Sequence, residues 1–269
     1  MNRLLVLSLA AVVVALPAAG HAAKNRPSYK PVSFGYREIV PEPGLTAAVE
    51  RVRVTLRAKD AAALEALLGD GFVYLTGSID PGVSYRKYKP AKGQVLIHIG
   101  DSVPVPMEPE KTPPRPAAEI AAGKAREGLA EVATGLDGPA RFGADPALPG
   151  LVCWKGGFSL DRKAFNATAK SVGAAQGASA RVVLSPVEVR AKGEATAAVI
   201  GRLEPLKSYF EFYEYELGDY KGWETVLLPD GKVGFVPSDT LIAPLNHGLC
   251  FGKTAKGDWE ARALISLSY

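Results

Sequence analysis

Leu45, Val49, Val52 and Leu56 recur at steps of four, three and four, the spacing of one helix face, and Pro43 and Gly44 break the chain just ahead of them. Asp60 can cap a second helix by accepting from the free N–H groups of Ala62 or Ala63, with Leu64, Leu67 and Leu68 as its buried stripe and Asp70 and Gly71 as its end. Residues 72–75 then read as a strand, and two more strands are predicted over 84–88 and 94–99 around a turn at 89–93. Prolines at 104, 106, 109, 113, 114 and 116 follow. Proline has no N–H for a sheet and biases its predecessor away from helix, so 104–116 reads as an extended connector. Residues 117–132, dominated by Ala, Lys, Arg and Glu, predict a helix, and 135–150 a Gly-, Pro- and Asp-rich surface loop. A short strand over 151–154 and a helix over 165–169, capped by Asp161, lead to a small-residue boundary at 173–179.

From Arg181 the pattern changes to short strands: 187–191, 199–203, 209–215 and the hairpin 223–236. The hairpin is the clearest signal in the chain, because Asp230 and Gly231 separate two apolar runs and glycine takes positive φ at no steric cost. Several short strands with turns between them read as a small antiparallel barrel or sandwich. Two last strands are expected over 246–252 and 259–266.

Arg3, the apolar run 4–16 and the small residues 17–22 have the order of a secretory signal peptide, cut near Ala22 or Ala23. The run is shorter than the roughly 20 residues that cross a bilayer as a helix. An uncleaved anchor is the alternative; with cleavage the product is exported, periplasmic or extracellular. Net charge is +4 with Lys and Arg scattered, which argues against a nucleic-acid surface, since that needs a concentrated basic face. The two cysteines, Cys153 and Cys250, would meet an oxidising compartment, where they either form a disulfide or stay as two buried thiols.

The fold class is therefore α+β. Its parts are a signal peptide (1–22), a leader (23–44), an α+β domain (45–178), an antiparallel β-barrel (179–243) and a C-terminal hairpin (244–269).

Four blocks in the barrel region occur in a telling order: Val187, Val189 and Arg190; Val199, Ile200, Gly201 and Leu203; Trp223; and Gly231, Gly234, Phe235 and Val236, closed by Leu241. This V-x-V-R-x, V-I-G-x-L, Trp-led and G-x-x-G-[YF]-V series resembles a bacterial Src homology 3-like domain, over about a quarter of the chain. Two departures stand out. Ala191, Lys192, Gly193 and Glu194 follow Arg190 in place of the usual Ser-Gly-Pro, and the insert between Leu203 and Trp223 is longer than usual. The resemblance implies contact with peptidoglycan, its stem peptides or an envelope protein. The ending F-x-K-x-x-x-G-x-W (Phe251, Lys253, Gly257, Trp259) resembles that of exported bacterial proteins in which such a barrel is appended to a cone-like α+β domain. That likeness implies a hairpin packed on the 45–154 region, with Cys153 and Cys250 as staple.

Tyr209, Glu211, Tyr213, Tyr215, Tyr220 and Trp223 are the candidate ligand-binding residues: rings give contact area at low entropic cost, and carboxylates attract amines or basic peptides. The competing reading is a strand with one packed and one solvated face. Alternation puts Phe210 and Phe212 on one side and Tyr209, Tyr213 and Tyr215 on the other, so both sides need a cover.

Three stretches of the chain bear on catalytic chemistry. Gly100, Asp101 and Ser102 after an apolar run resemble the nucleophile block of Gly-Asp-Ser esterases, but the Asp-x-x-His partner is missing, with Pro244 three residues before His247, and no Asn-Asp pair exists. Cys153 lies in Val-Cys-Trp-Lys rather than the Asp-Cys-Ser-Gly of exported peptidases, and Cys250 follows His247 by three residues without further support for a dyad. His98 and His247, far apart and without paired cysteines or acidic loops, define no Zn²⁺ or Ca²⁺ site, and no glycine loop has the setting of a phosphate cradle. The expectation is a non-enzymatic exported binding or scaffold protein without a cofactor. The alternative is a small-molecule-binding or enzymatic cone-like domain that the barrel docks.

Overall fold

The computed structural model describes residues 27–78, 84–102, 116–138, 140–173, 180–211, 221–244 and 247–268. The signal-peptide segment, nearly all of the proline connector, and Tyr213, Tyr215 and Tyr220 lie outside these residues.

A short strand, β1 (Phe34–Tyr36), opens the chain, followed by α1 (Pro43–Ala58). Leu45, Val49 and Val52 are buried along α1, as their spacing requires. Lys59, in the left-handed region at φ 53°, ends α1. The Asp60 carboxylate then accepts from Ala63 N at 2.9 Å and starts α2 (Ala61–Leu67). The chain passes directly from α2 into β2 (Leu68–Ser78), so Asp70 and Gly71 lie within a strand rather than ending a helix. They fall where the pairing of β2 with the last strand jumps from Leu68 to Val73, and Gly71 takes φ 70° there.

β3 (Ser84–Tyr88) is the strand expected from sequence; residues 94–99 are not. They form α3 (Val95–Asp101), which buries Val95, Leu96 and Ile99 on one face. The run lacks a cap of its own. Glu65 of α2 supplies one from across the fold, its carboxylate accepting from Val95 N at 2.7 Å and Leu96 N at 3.0 Å. Satisfying free N–H groups with a carboxylate also opposes the positive end of the helix dipole, and β-branched propensity is overridden. Gly100, Asp101 and Ser102 consequently lie at a helix end. Asp101 pairs with Lys124, and Ser102 Oγ donates to His98 O at 3.0 Å.

The remaining elements are α4 (Ala117–Thr134), β4 (Phe142–Ala144), β5 (Val152–Trp154), β6 (Phe158–Leu160), α5 (Arg162–Ser171), β7 (Ala180–Arg181), β8 (Val187–Arg190), β9 (Val199–Leu203), β10 (Tyr209–Glu211), β11 (Trp223–Leu227), β12 (Val233–Pro237), a 3-10 turn (Ser238–Thr240), β13 (Gly248–Lys253) and β14 (Trp259–Ser268). Asp161 caps α5, accepting from Ala164 N at 3.0 Å.

The strands form three sheets. The first runs β3-β2-β14-β13-β5-β4, with β14 parallel to β2 and the other neighbours antiparallel. The C-terminal strands thus lie in the middle of a sheet whose other members precede residue 155. One face packs on α1 to α4 through Leu45, Val49, Leu64, Leu96, Ile99, Phe72, Phe251 and Leu264. This helix–sheet interior is filled with apolar side chains. The opposite face holds Cys153 and Cys250, directly opposite one another in the β5–β13 register and joined as a disulfide.

The second sheet runs β7-β10-β11-β12-β8-β9, and among the described residues its pairings do not close into a barrel. Ile242, beyond the 3-10 turn, exchanges two backbone hydrogen bonds of 2.9 Å with Val182. One apolar cluster on this sheet contains Val189, Leu203, Tyr209, Val226 and Val236. A second joins Phe210 and Leu227 to Phe34, Phe158 and Phe165 of β1, β6 and α5. The third sheet is the two-stranded β1–β6 ladder. The segment just before it is tied to the second sheet, since Tyr29 Oη donates to Leu227 O at 2.8 Å, and β1 itself is tied to the β9–β10 connection, since Phe34 N donates to Leu206 O at 2.8 Å. The architecture is α+β.

Candidate functional site

Two of the residues singled out on the aromatic insert are interior. Tyr209 is 2% exposed, with its hydroxyl 2.7 Å from the Glu204 N–H that donates to it. Glu211 is also 2% exposed and ion-paired with Arg181. Tyr209 and Phe210 are both buried, each in a different apolar cluster, so the two faces of β10 are covered by the protein itself. Trp223 is half-buried at the start of β11, opposite Pro237.

The concave feature that gathers charge lies at the seam between the first and second sheets. It is a cleft of about 430 Å³. From the first sheet's side come Arg141, just before β4, Lys155, just after β5, and Phe158 of β6; from the other come Arg181 of β7, Glu224 of β11, Ser238 and Asp239 of the 3-10 turn, and Leu241 to Ala243. Register explains the first group. Phe142 faces Trp154 across β4–β5, and Lys155 N donates to Arg141 O at 2.8 Å, so Arg141 and Lys155 are the next pair along the ladder. Lys155 takes φ 60°, unusual outside glycine, and the chain turns sharply through Gly156 and Gly157. Gly143 is required beside that turn, because a β-carbon on it would stand 2.2 Å from Gly157 Cα.

The electrostatics of the cleft are unsettled in a specific way. Burial pushes the Glu224 carboxyl above its ordinary range, and the neighbouring Glu211 adds to this, while Arg181 and Ser238 pull it back. Arg181 Nε is 3.6 Å from Glu224 Oε2, too far for a hydrogen bond, and that buried oxygen has no hydrogen-bond partner among the described residues. Burial lowers the Lys155 ammonium, whose Nζ reaches Thr134 O at the end of α4 at 3.4 Å. Arg141 makes no ion pair among the described residues and lies near the Tyr36 phenol, itself buried without a hydrogen-bond partner. A second cleft of about 370 Å³ shares Lys155 and Phe158 and adds Asp145, raised by burial, and Arg162. Active sites place perturbed ionisable groups in clefts, and structural ion-pair networks shift them as well, so this convergence marks the cleft as a candidate site.

One cluster was missed in the sequence. His247, Ser266 of β14 and Glu131 of α4 meet, with His247 Nε2 at 2.8 Å from Glu131 Oε1 and 3.1 Å from Ser266 Oγ. The Ser266 hydroxyl also donates to Glu131 Oε1. An acid, a base and a hydroxyl are therefore in contact, but carboxylate and serine share the same imidazole nitrogen. In a nucleophilic triad the acid orients the ring from its far nitrogen while the serine proton faces the near one. Here the serine proton is directed at the carboxylate. Ser266 is also 8% exposed. The cluster clamps α4 to the sheet, and its spacing over 131, 247 and 266 gives no local motif to read.

Among the described residues no cluster of three or more His, Cys, Asp or Glu could hold a metal ion, and no helix is long and apolar enough to cross a membrane. No family model and no curated protein matches the chain.

Proposed function

We propose that the chain is an exported, non-enzymatic binding protein of the bacterial cell envelope, with residues 179–243 as its Src homology 3-like part. Its ligand is a peptide-bearing component of the wall, held in the seam cleft. The carrying observation is the convergence of Arg141, Lys155, Arg181, Glu224 and Asp239 from separate elements into one concavity. The cleft is lined largely by the strands and turn of the second sheet, and the helix–sheet interior is filled by apolar side chains, which leaves the seam as the better ligand site. The disulfide supports export, since such bonds persist in oxidising compartments.

Co-sedimentation of the mature protein with purified sacculi tests this reading. Wild type is expected to pellet, and Arg141→Ala to pellet less. Failure of the wild type to pellet, or equal pelleting of both, would overturn it.

The contact among His247, Ser266 and Glu131 favours one second reading, a serine hydrolase built on the α+β part. The shared ring nitrogen counts against it. Labelling of Ser266 by a fluorophosphonate probe would revive it.

A further inference from the structure

We infer that the seam cleft recognises a short peptide with both termini free, an ammonium group against Glu224 and Asp239 and a carboxylate against Arg141 and Lys155. This rests on the binding reading above and names the chemistry of what is bound.

Size limits the candidates first. A cleft of about 430 Å³ suits a small molecule or the tip of a chain, not a folded partner. Charge limits them further. An amine or basic peptide alone would meet Arg141, Lys155 and Arg181, and an anion alone would meet Glu224 and Asp239. A ligand bearing both signs answers both walls.

The orphaned atoms point the same way. Glu224 Oε2 has a 3.6 Å ion pair with Arg181 but no hydrogen-bond partner among the described residues, so a side-chain shift that turns it into the cleft would let a ligand donor satisfy it. Arg181 pairs with both carboxylates, closely with Glu211 and at 3.6 Å with Glu224, so Glu224 is the more loosely held of the two. On the basic side Arg141 is free of ion pairs among the described residues, and its planar guanidinium matches a carboxylate through two parallel hydrogen bonds. Phe158 adds an apolar residue to the lining.

Calorimetric titration of the full mature protein with Ala-Ala, N-acetyl-Ala-Ala and Ala-Ala-amide tests the inference. The free dipeptide should bind about tenfold tighter than either capped form, the discrimination expected of one charge-assisted hydrogen bond at each end. Glu224→Gln should erase the difference between free and acetylated peptide while keeping that between free and amidated; Arg141→Gln should do the reverse. Thermal melting of both variants checks that they fold. Equal affinity for all three peptides, or tighter binding of a capped one, would overturn the inference. If sacculi bind and no dipeptide does, this inference fails and the binding reading stands; if neither binds, both fail.

Discussion

Gly128 of α4 lies against the carbonyl of Leu96 in α3, so close that a β-carbon at 128 would stand 2.0 Å from that oxygen. The contact is reciprocal, since a β-carbon on Gly100 of α3 would stand 1.9 Å from Lys124 O. Two helices joined backbone to backbone in this way have no room for a methyl group. Gly128→Ala should cost about 1–3 kcal/mol or more by overpacking, read as a lower denaturant midpoint. Gly123, in the same helix, has open space where its β-carbon would be, so Gly123→Ala should stabilise by roughly 0.5–1 kcal/mol.

Cys153 and Cys250 close a loop of 97 residues across adjacent strands. Chain entropy assigns such a crosslink about 4–5 kcal/mol. The double Cys→Ala variant, or reduction of the wild type, should lower unfolding free energy on that scale. Intact-mass measurement with alkylation should find no free thiol before reduction and two after it.

Glu131 sets a pH dependence. The adjacent His247 holds its carboxyl below the ordinary 4.5, with Ser266 adding to the effect against the opposing cost of burial. A carboxyl with a lowered folded-state value contributes stability that is complete above its unfolded value, and loses it as pH falls through the folded one. Glu131→Gln should therefore be less stable than wild type at neutral pH, with the gap closing below about pH 4.5. Glu224 has the opposite sign. Its raised value means that ionisation opposes folding, so Glu224→Gln should be no less stable than wild type at neutral pH. Unfolding curves at several pH values check both.

Ser266 should resist fluorophosphonate labelling under native conditions, because its proton is committed to Glu131 and not to His247. Mass spectrometry of the peptide containing residue 266 reads the result.

The sequence carried the elements whose signals are local. Caps at Asp60 and Asp161, the stripe of α1 and the hairpin around Gly231 all depend on residues within a few positions of one another. Residues 94–99 read wrongly because the group that makes them helical, Glu65, is remote in sequence. The candidate site was illegible for a related reason. Arg141, Lys155, Arg181 and Glu224 are scattered, and only the fold brings them together. The one local hint was the glycine pair after Lys155, which marks a sharp turn. Tyr209 and Glu211 were attractive as exposed ligands, but hydrophobic period alone could not reveal that Tyr209 packs with Val189, Leu203, Val226 and Val236 of the same sheet and that Glu211 pairs with Arg181.

Hydrogen–deuterium exchange of the mature protein, with and without soluble peptidoglycan fragments, tests the location of binding most directly. Protection is expected at residues 141, 155–158, 181 and 238–243. Protection confined to residues 209–223, or no change anywhere at saturating fragment, would contradict a ligand in the seam.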